Sequence, residues 1–198
     1  MLYRGGFIET SPANSSMVSK NKRLLQRVRV PLGFLFAILF IIFAHPTLIT
    51  MLVGGAVALI GLLIRGWASG HIRKVEKLAV SGPYGYTRNP LYLGSFLLGA
   101  GFTIAGGVWW LPVAFAVLYL GIYLPVMRVE EEDLTRIFGT DFEEYSSAVP
   151  LFLPRLTVWK RTDVKFDTKL YLRYREYRAA IGMAVAMGLL VIKAVWLP

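Results

Sequence analysis

Between Gly82 and Gly94 the chain reads Gly-Pro-Tyr-Gly-Tyr-Thr-Arg-Asn-Pro-Leu-Tyr-Leu-Gly, a turn crowded with polar and aromatic side chains that opens straight into an apolar segment. In an ordinary loop Gly-Pro and Asn-Pro only mark turns. Here two of the tyrosines, an arginine and an asparagine stand at the edge of a hydrocarbon span, a combination that suits a polar cofactor meeting a lipidic substrate. Asn89-Pro90 is a helix-start signal, because asparagine caps free N–H groups and proline's missing donor costs little in a first turn. The same N–H groups, at the positive end of a helix dipole, suit a carboxylate or phosphate. Arg88 either strengthens that site or reaches up to lipid headgroups. Tyr84, Tyr86 and Tyr92 are either interfacial aromatics or the lining of a pocket for a flat base or a sulfonium cation.

A second constellation is Arg128-Val129-Glu130-Glu131-Glu132-Asp133-Leu134, followed by Phe138-Gly139 and Tyr145. Continued as a helix, it puts Glu130 and Leu134 on one side and allows an ion pair between Glu132 and Arg136. Glu132 and Asp133 are then expected on the solvated face. Glu130 or Glu131 can accept hydrogen bonds from an amine or from ribose hydroxyls.

The elements that must position these residues are membrane spans. The chain has 198 residues, is 56% hydrophobic and 17% charged, and has a mean hydropathy of +0.55, which places it with integral membrane proteins. Apolar segments at about 28–44, 47–64, 90–105, 108–127 and 179–197 predict an all-α, polytopic protein with about five transmembrane helices. The second span is expected to continue as a helix towards Ile72, and its Gly54, Gly55, Ala58 and Gly61 to permit close packing, as do Gly182 and Ala186 in the last. Residues 1–27 are polar and expected to be mobile or interfacial, and residues 28–198 to form a single membrane domain.

The 22 basic residues give a net charge of +10, but they cluster in alternate connections, the positive-inside pattern. That distribution argues against nucleic acid and predicts a cytoplasmic N-terminus, cytoplasmic segments at about 65–92 and 128–178, and an outer C-terminus. The chemically rich stretches therefore share one face. The chain has no cysteine, and His45 and His71 stand in contexts unlike a zinc site, so no metal centre is expected.

Gly82-Pro83-Tyr84, Arg88-Asn89-Pro90-Leu91-Tyr92-Leu93-Gly94 and Arg128-x-Glu130-Glu131-x-x-Leu134-x-x-x-Phe138-Gly139-x-x-Phe142-x-x-Tyr145-x-x-x-Val149-Pro150 together resemble the isoprenylcysteine carboxyl methyltransferase and phospholipid methyltransferase superfamily. The resemblance covers roughly residues 60 to 155. It implies a multi-span helical enzyme that uses S-adenosylmethionine at a cytoplasmic, helical cofactor-binding region, without a Rossmann domain, and in agreement no Gly-x-Gly-x-x-Gly opens a helix here. Carried over residue by residue, it implies that Lys74, Leu78, Ala79, Val80, Tyr84, Asn89, Pro90, Tyr92 and Glu130 line the cofactor site with Glu131 close by. Arg88 and Arg128 become candidates for orienting an amphiphilic acceptor that enters from membrane lipids. The chain departs from the family's usual Arg-His-Pro, having Arg88-Asn89-Pro90, so a proton-accepting histidine is not carried over. A carboxylate acceptor needs no general base, whereas an ammonium headgroup does; the sequence leaves both open. A sterol-reductase-like enzyme using NADPH and a non-catalytic lipid-binding protein are the alternatives.

Overall fold

Proline, threonine and glycine set the limits of the helices in the structure, a computed structural model that describes residues 31–72 and 77–196. Helix α1 covers Pro31–Phe43 among the described residues. After a break, α2 (Leu48–Ser69) starts with a reciprocal cap in which Thr47 and Thr50 each accept the other's backbone N–H. It runs past Ile64 as expected but stops at Ser69, short of Ile72. The Phe166 ring closes that end, 2.2 Å from where a Cβ at Gly70 would stand.

One turn of 3-10 helix, Gly82–Gly85, precedes α3 (Pro90–Ala105). A turn with Gly107 at φ +75° leads into α4 (Trp110–Phe138). Gly139, at φ +53° and ψ −125°, then turns the chain into α5 (Thr140–Ala148); that backbone conformation is open in practice only to glycine. A long stretch follows, interrupted by the short α6 (Thr168–Arg173), before α7 (Tyr177–Trp196).

All the regular elements among the described residues are helical. Three of them, α2, α4 and α7, are long and apolar enough to cross a membrane, and α1 and α3 are shorter apolar helices. The chain is thus a polytopic helical membrane protein. The five apolar segments expected from sequence correspond to α1–α4 and α7, but α4 does not end near Met127. Its 29 residues continue through the acidic run to Phe138, about 44 Å at ~1.5 Å per residue against a hydrocarbon core of about 30 Å. Its charged last turns therefore stand clear of the apolar layer. Residues 1–27 and Lys74 lie outside the described residues.

Helices α2 and α3 meet backbone to backbone. A Cβ on Gly54 would lie 2.3 Å from the Gly101 carbonyl oxygen, one on Gly61 would lie 2.5 Å from the Leu98 nitrogen, and one on Gly101 would lie 2.4 Å from the Ala58 nitrogen. The small residues of the second span thus do what their spacing predicts, with Gly94 and Gly101 as partners on α3. Gly55 instead faces Met187 on α7 at ordinary contact distance, and Gly182, expected to pack closely, has nothing within 4 Å. One apolar core joins α1, α3, α4 and α7 through Phe40, Ala105, Leu111 and Leu190. A second core at the other end, around Phe142, Tyr145 and Val149, carries the site.

Candidate functional site

The chemically rich segments meet where α3 begins and α4 ends. They enclose a cavity of about 400 Å³ lined by residues that include Leu78, Ala79, Tyr84, Arg88, Asn89, Pro90, Tyr92, Glu130 and Glu131. That volume lies in the range of small-ligand sites, about 300–1,000 Å³. Apolar walls come from Leu134, Phe138 and Phe142, and Tyr145 closes one side.

The halves are fastened to each other directly. Arg88 Nη1 lies 2.8 Å from Glu131 Oε1, with both side chains mostly buried. The Tyr92 hydroxyl donates to Glu130 Oε1 at 2.9 Å, and the buried Tyr145 hydroxyl donates to the Tyr84 carbonyl at 2.8 Å. A third segment is zipped along the first: Arg88 N–H donates to the Pro150 carbonyl at 2.9 Å, Arg155 N–H to Tyr86 at 2.9 Å and Trp159 N–H to Gly85 at 3.0 Å. The Thr87 hydroxyl, on a buried residue, donates to the Phe152 carbonyl at 2.9 Å. The Gly82–Pro90 turn is therefore held in place on both sides by chain from more than 40 residues away in sequence.

Asn89 behaves differently from the expected helix cap. It occupies the N-cap position of α3 but makes no capping bond; its amide donates to the Leu151 carbonyl at 3.1 Å. The first turn of α3, with Pro90, Leu91 and Tyr92 on the cavity wall, thus keeps its N–H end free of a side-chain cap.

Polar atoms are left over at this place. The buried side-chain polar atoms without a hydrogen-bond partner among the described residues are Tyr84 Oη, Arg88 Nε and Glu131 Oε1, and all belong to residues on the cavity wall. The Arg88–Glu131 contact is close enough for an ion pair, yet its angles do not make a hydrogen bond. Burial raises the Tyr84 phenol well above the ordinary tyrosine value, so it stays a protonated donor. The Tyr145 phenol is raised by burial as well, keeping the proton it donates to Tyr84.

Some expected residues stand elsewhere. Val80 is off the lining and packs on the Phe142–Tyr145–Val149 core. Arg128 is exposed and off the lining. Tyr86 sits against Trp67, ring centroids 6.2 Å apart. Glu132 and Asp133 are exposed, as expected, although Asp133 also reaches the cavity edge; Arg136 pairs with Asp133 at 4.0 Å, where a pair with Glu132 was expected. Lys77 and Met127, which carry no sequence signal, also line it. Arg65 of α2 was not foreseen either: it grips Glu176 with Nη2–Oε2 at 2.8 Å and Nε–Oε2 at 3.1 Å, and donates to Ser95 on α3.

Fold and site together define a helical membrane protein with a largely apolar, carboxylate-bearing cavity between the start of α3 and the end of α4. The phospholipid methyltransferase family matches residues 39–141, more than half of the chain, and the chain belongs to that family. It is 35% identical over 122 residues to the cobalt-zinc-cadmium resistance protein CzcN of Cupriavidus metallidurans, an alignment covering 58% of this chain and 53% of that protein. It is 31% identical over 111 residues to the nickel-cobalt-cadmium resistance protein NccN of Alcaligenes xylosoxydans xylosoxydans, covering 55% of this chain and 50% of that protein. The chain thus spans about half the length of the curated relatives it matches. No solved structure matches it.

Proposed function

We propose that the chain is a membrane methyltransferase that takes S-adenosylmethionine in this cavity and methylates an amphiphilic acceptor drawn from the bilayer. The observation that carries the reading is that three residues of one cavity wall, Tyr84, Arg88 and Glu131, each hold a buried side-chain polar atom without a hydrogen-bond partner among the described residues. Buried polar groups are costly unless something satisfies them. The donor set fits the cofactor, which offers a carboxylate, an ammonium, ribose hydroxyls, an adenine and a sulfonium.

Arg88 and the uncapped first turn of α3 would hold the carboxylate. Glu130 and Glu131 would accept from the ammonium and the ribose hydroxyls. The ring faces of Tyr84 and Tyr92 would take the adenine or the sulfonium, with Leu78, Ala79 and Pro90 as apolar wall. When bound, S-adenosylmethionine supplies an activated methyl group. The residues here then act by placing two reactants in line, an effect worth several kcal/mol of barrier. Arg128, off the lining, is left for the acceptor's polar end. Lys74 and Val80 keep only the support of the resemblance, and the cytoplasmic placement of the site that of the charge pattern. Among the described residues no group of three or more His, Cys, Asp or Glu could hold a metal ion.

Titration calorimetry of the detergent-solubilised protein with S-adenosylhomocysteine tests the site. Wild type is expected to bind, and Glu130→Ala and Tyr92→Ala to bind roughly ten-fold or more weakly, the scale of a lost hydrogen bond to a charged group. Unchanged affinity in both variants, or binding of NADPH in place of S-adenosylhomocysteine, rejects the reading. Radiolabelled methyl transfer into a total lipid extract then identifies the acceptor class.

A further inference from the structure

Residues 150–176 cross the end of the bundle that holds the cavity, and much of their outer surface has no part in the site. The backbone there is fixed. Besides the bonds of Arg155 and Trp159 to the Gly85–Tyr86 turn, Asp167 N–H donates to the Gly70 carbonyl at 2.9 Å. Phe152 packs inward on Phe96 of α3, centroids 5.7 Å apart, and Phe166 packs on His71, 6.1 Å apart. Even so, Leu156 is 99% exposed, Leu153 71% and Leu172 56%. Leu153 and Leu156 flank the anchored Arg155, so local collapse cannot hide them.

Cations follow Leu153 and Leu156 along the segment, interleaved with the exposed Val164, Phe166 and Leu172. Arg161, Lys165, Lys169 and Arg173 are exposed, and none of them enters an ion pair found among the described residues. The acids of the segment are partly spoken for: Asp167 caps α6 by accepting from Lys169 N–H at 2.8 Å, and Glu176 is held by Arg65. On α6 itself Lys169, Leu172 and Arg173 fall on one helical face. Apolar tips among unpaired cations are the pattern of a surface that lies in a membrane interface, the tips in the acyl boundary and the cations on phosphates. The segment also adjoins the end of α2 and the start of α7, two helices long and apolar enough to cross a membrane.

We propose that residues 153–173 seat on a leaflet of anionic phospholipid, with Leu153, Leu156 and Leu172 at the acyl boundary and Arg161, Lys165, Lys169 and Arg173 on the headgroup phosphates. The surface anchors the floor beneath the Gly82–Pro90 turn against the bilayer, independently of what the cavity binds.

Because the chain has no cysteine, Leu156→Cys gives a single labelling site in this 198-residue chain, and Glu143→Cys on the exposed side of α5 gives the control. Each variant, carrying an environment-sensitive fluorophore, is placed in nanodiscs of phosphatidylcholine alone or with phosphatidylglycerol. At position 156 the label is expected to be quenched by doxyl-labelled lipid and shielded from aqueous iodide at least two-fold better than at 143. Shielding is expected to grow with phosphatidylglycerol. Lys165→Gln, Lys169→Gln and Arg173→Gln combined should lower that response roughly ten-fold, given the worth of juxtamembrane cations near anionic lipid. Iodide access at 156 equal to that at 143 in both discs overturns the proposal and leaves the face to a protein partner. Lipid quenching that ignores phosphatidylglycerol overturns the anionic leaflet as the occupant.

Discussion

Arg88 and Glu131 lie 2.8 Å apart in a mostly buried setting, yet each keeps a polar atom without a hydrogen bond, and Tyr84, on the same cavity wall, has a third. This gives the phenol of Tyr84 an unusual signature. Removing a buried hydroxyl that has no partner should not destabilise the free protein, whereas it should weaken a ligand that the hydroxyl would bond. Tyr84→Phe is therefore expected to leave the thermal midpoint unchanged or higher without ligand, and to lower S-adenosylhomocysteine affinity several-fold by calorimetry. The alkaline side gives a second readout. The unfolded tyrosine ionises near pH 10, while burial holds the folded phenol protonated above that. Its contribution is thus intact below pH 10 and is lost as pH rises further. Tyr84→Phe should shrink that alkaline loss. At this scale the sequence was informative where chemistry was crowded: Tyr84, Arg88, Tyr92, Glu130 and Glu131 stood out by type and spacing, and they do converge. At Asn89 it located the start of α3 but not the bond of the amide, because the competing acceptor is the Leu151 carbonyl, 62 residues away.

Among the elements, the α2–α3 contact depends on glycine at positions where any side chain meets backbone. Gly101→Val puts atoms where Gly54 and Ala58 backbone already lies. Backbone cannot yield as a side-chain tip can, so a loss of about 3 kcal/mol is expected. Gly182→Ala on α7, where nothing lies within 4 Å, should instead be neutral or gain up to about 1 kcal/mol from helix propensity. Thermal unfolding of both variants in one detergent checks the contrast. Helix limits were legible where local chemistry fixes them: Pro90 opens α3 and Gly106 closes it, as expected. The run of α4 to Phe138 was not, because hydropathy marks where an apolar layer ends and not where hydrogen bonding along a helix ends.

Across the whole molecule, Arg65 and Glu176 join α2 to the chain just before α7 over 111 residues, and Arg65 also donates to Ser95 near the cavity wall of α3. Cutting one partner leaves a mostly buried charge, so Glu176→Ala should cost about 3 kcal/mol. The double variant Arg65→Met with Glu176→Leu should recover much of that loss. A double-mutant cycle by thermal unfolding measures the coupling; additive losses would mean that the pair does not join these elements. Composition alone determined that this chain enters a membrane and is helical, because hydrocarbon leaves the backbone few ways to satisfy itself. Local spacing marked which residues to expect together at a site. Only the tertiary structure decided that Tyr84, Arg88 and Glu131 would line one cavity, each with a buried polar atom lacking a hydrogen bond, that the Asn89 amide would bond Leu151 and not cap α3, and that Arg65 would find Glu176. Those outcomes depend on long-range partners, and the energy of a polar side chain is set by which partner reaches it first.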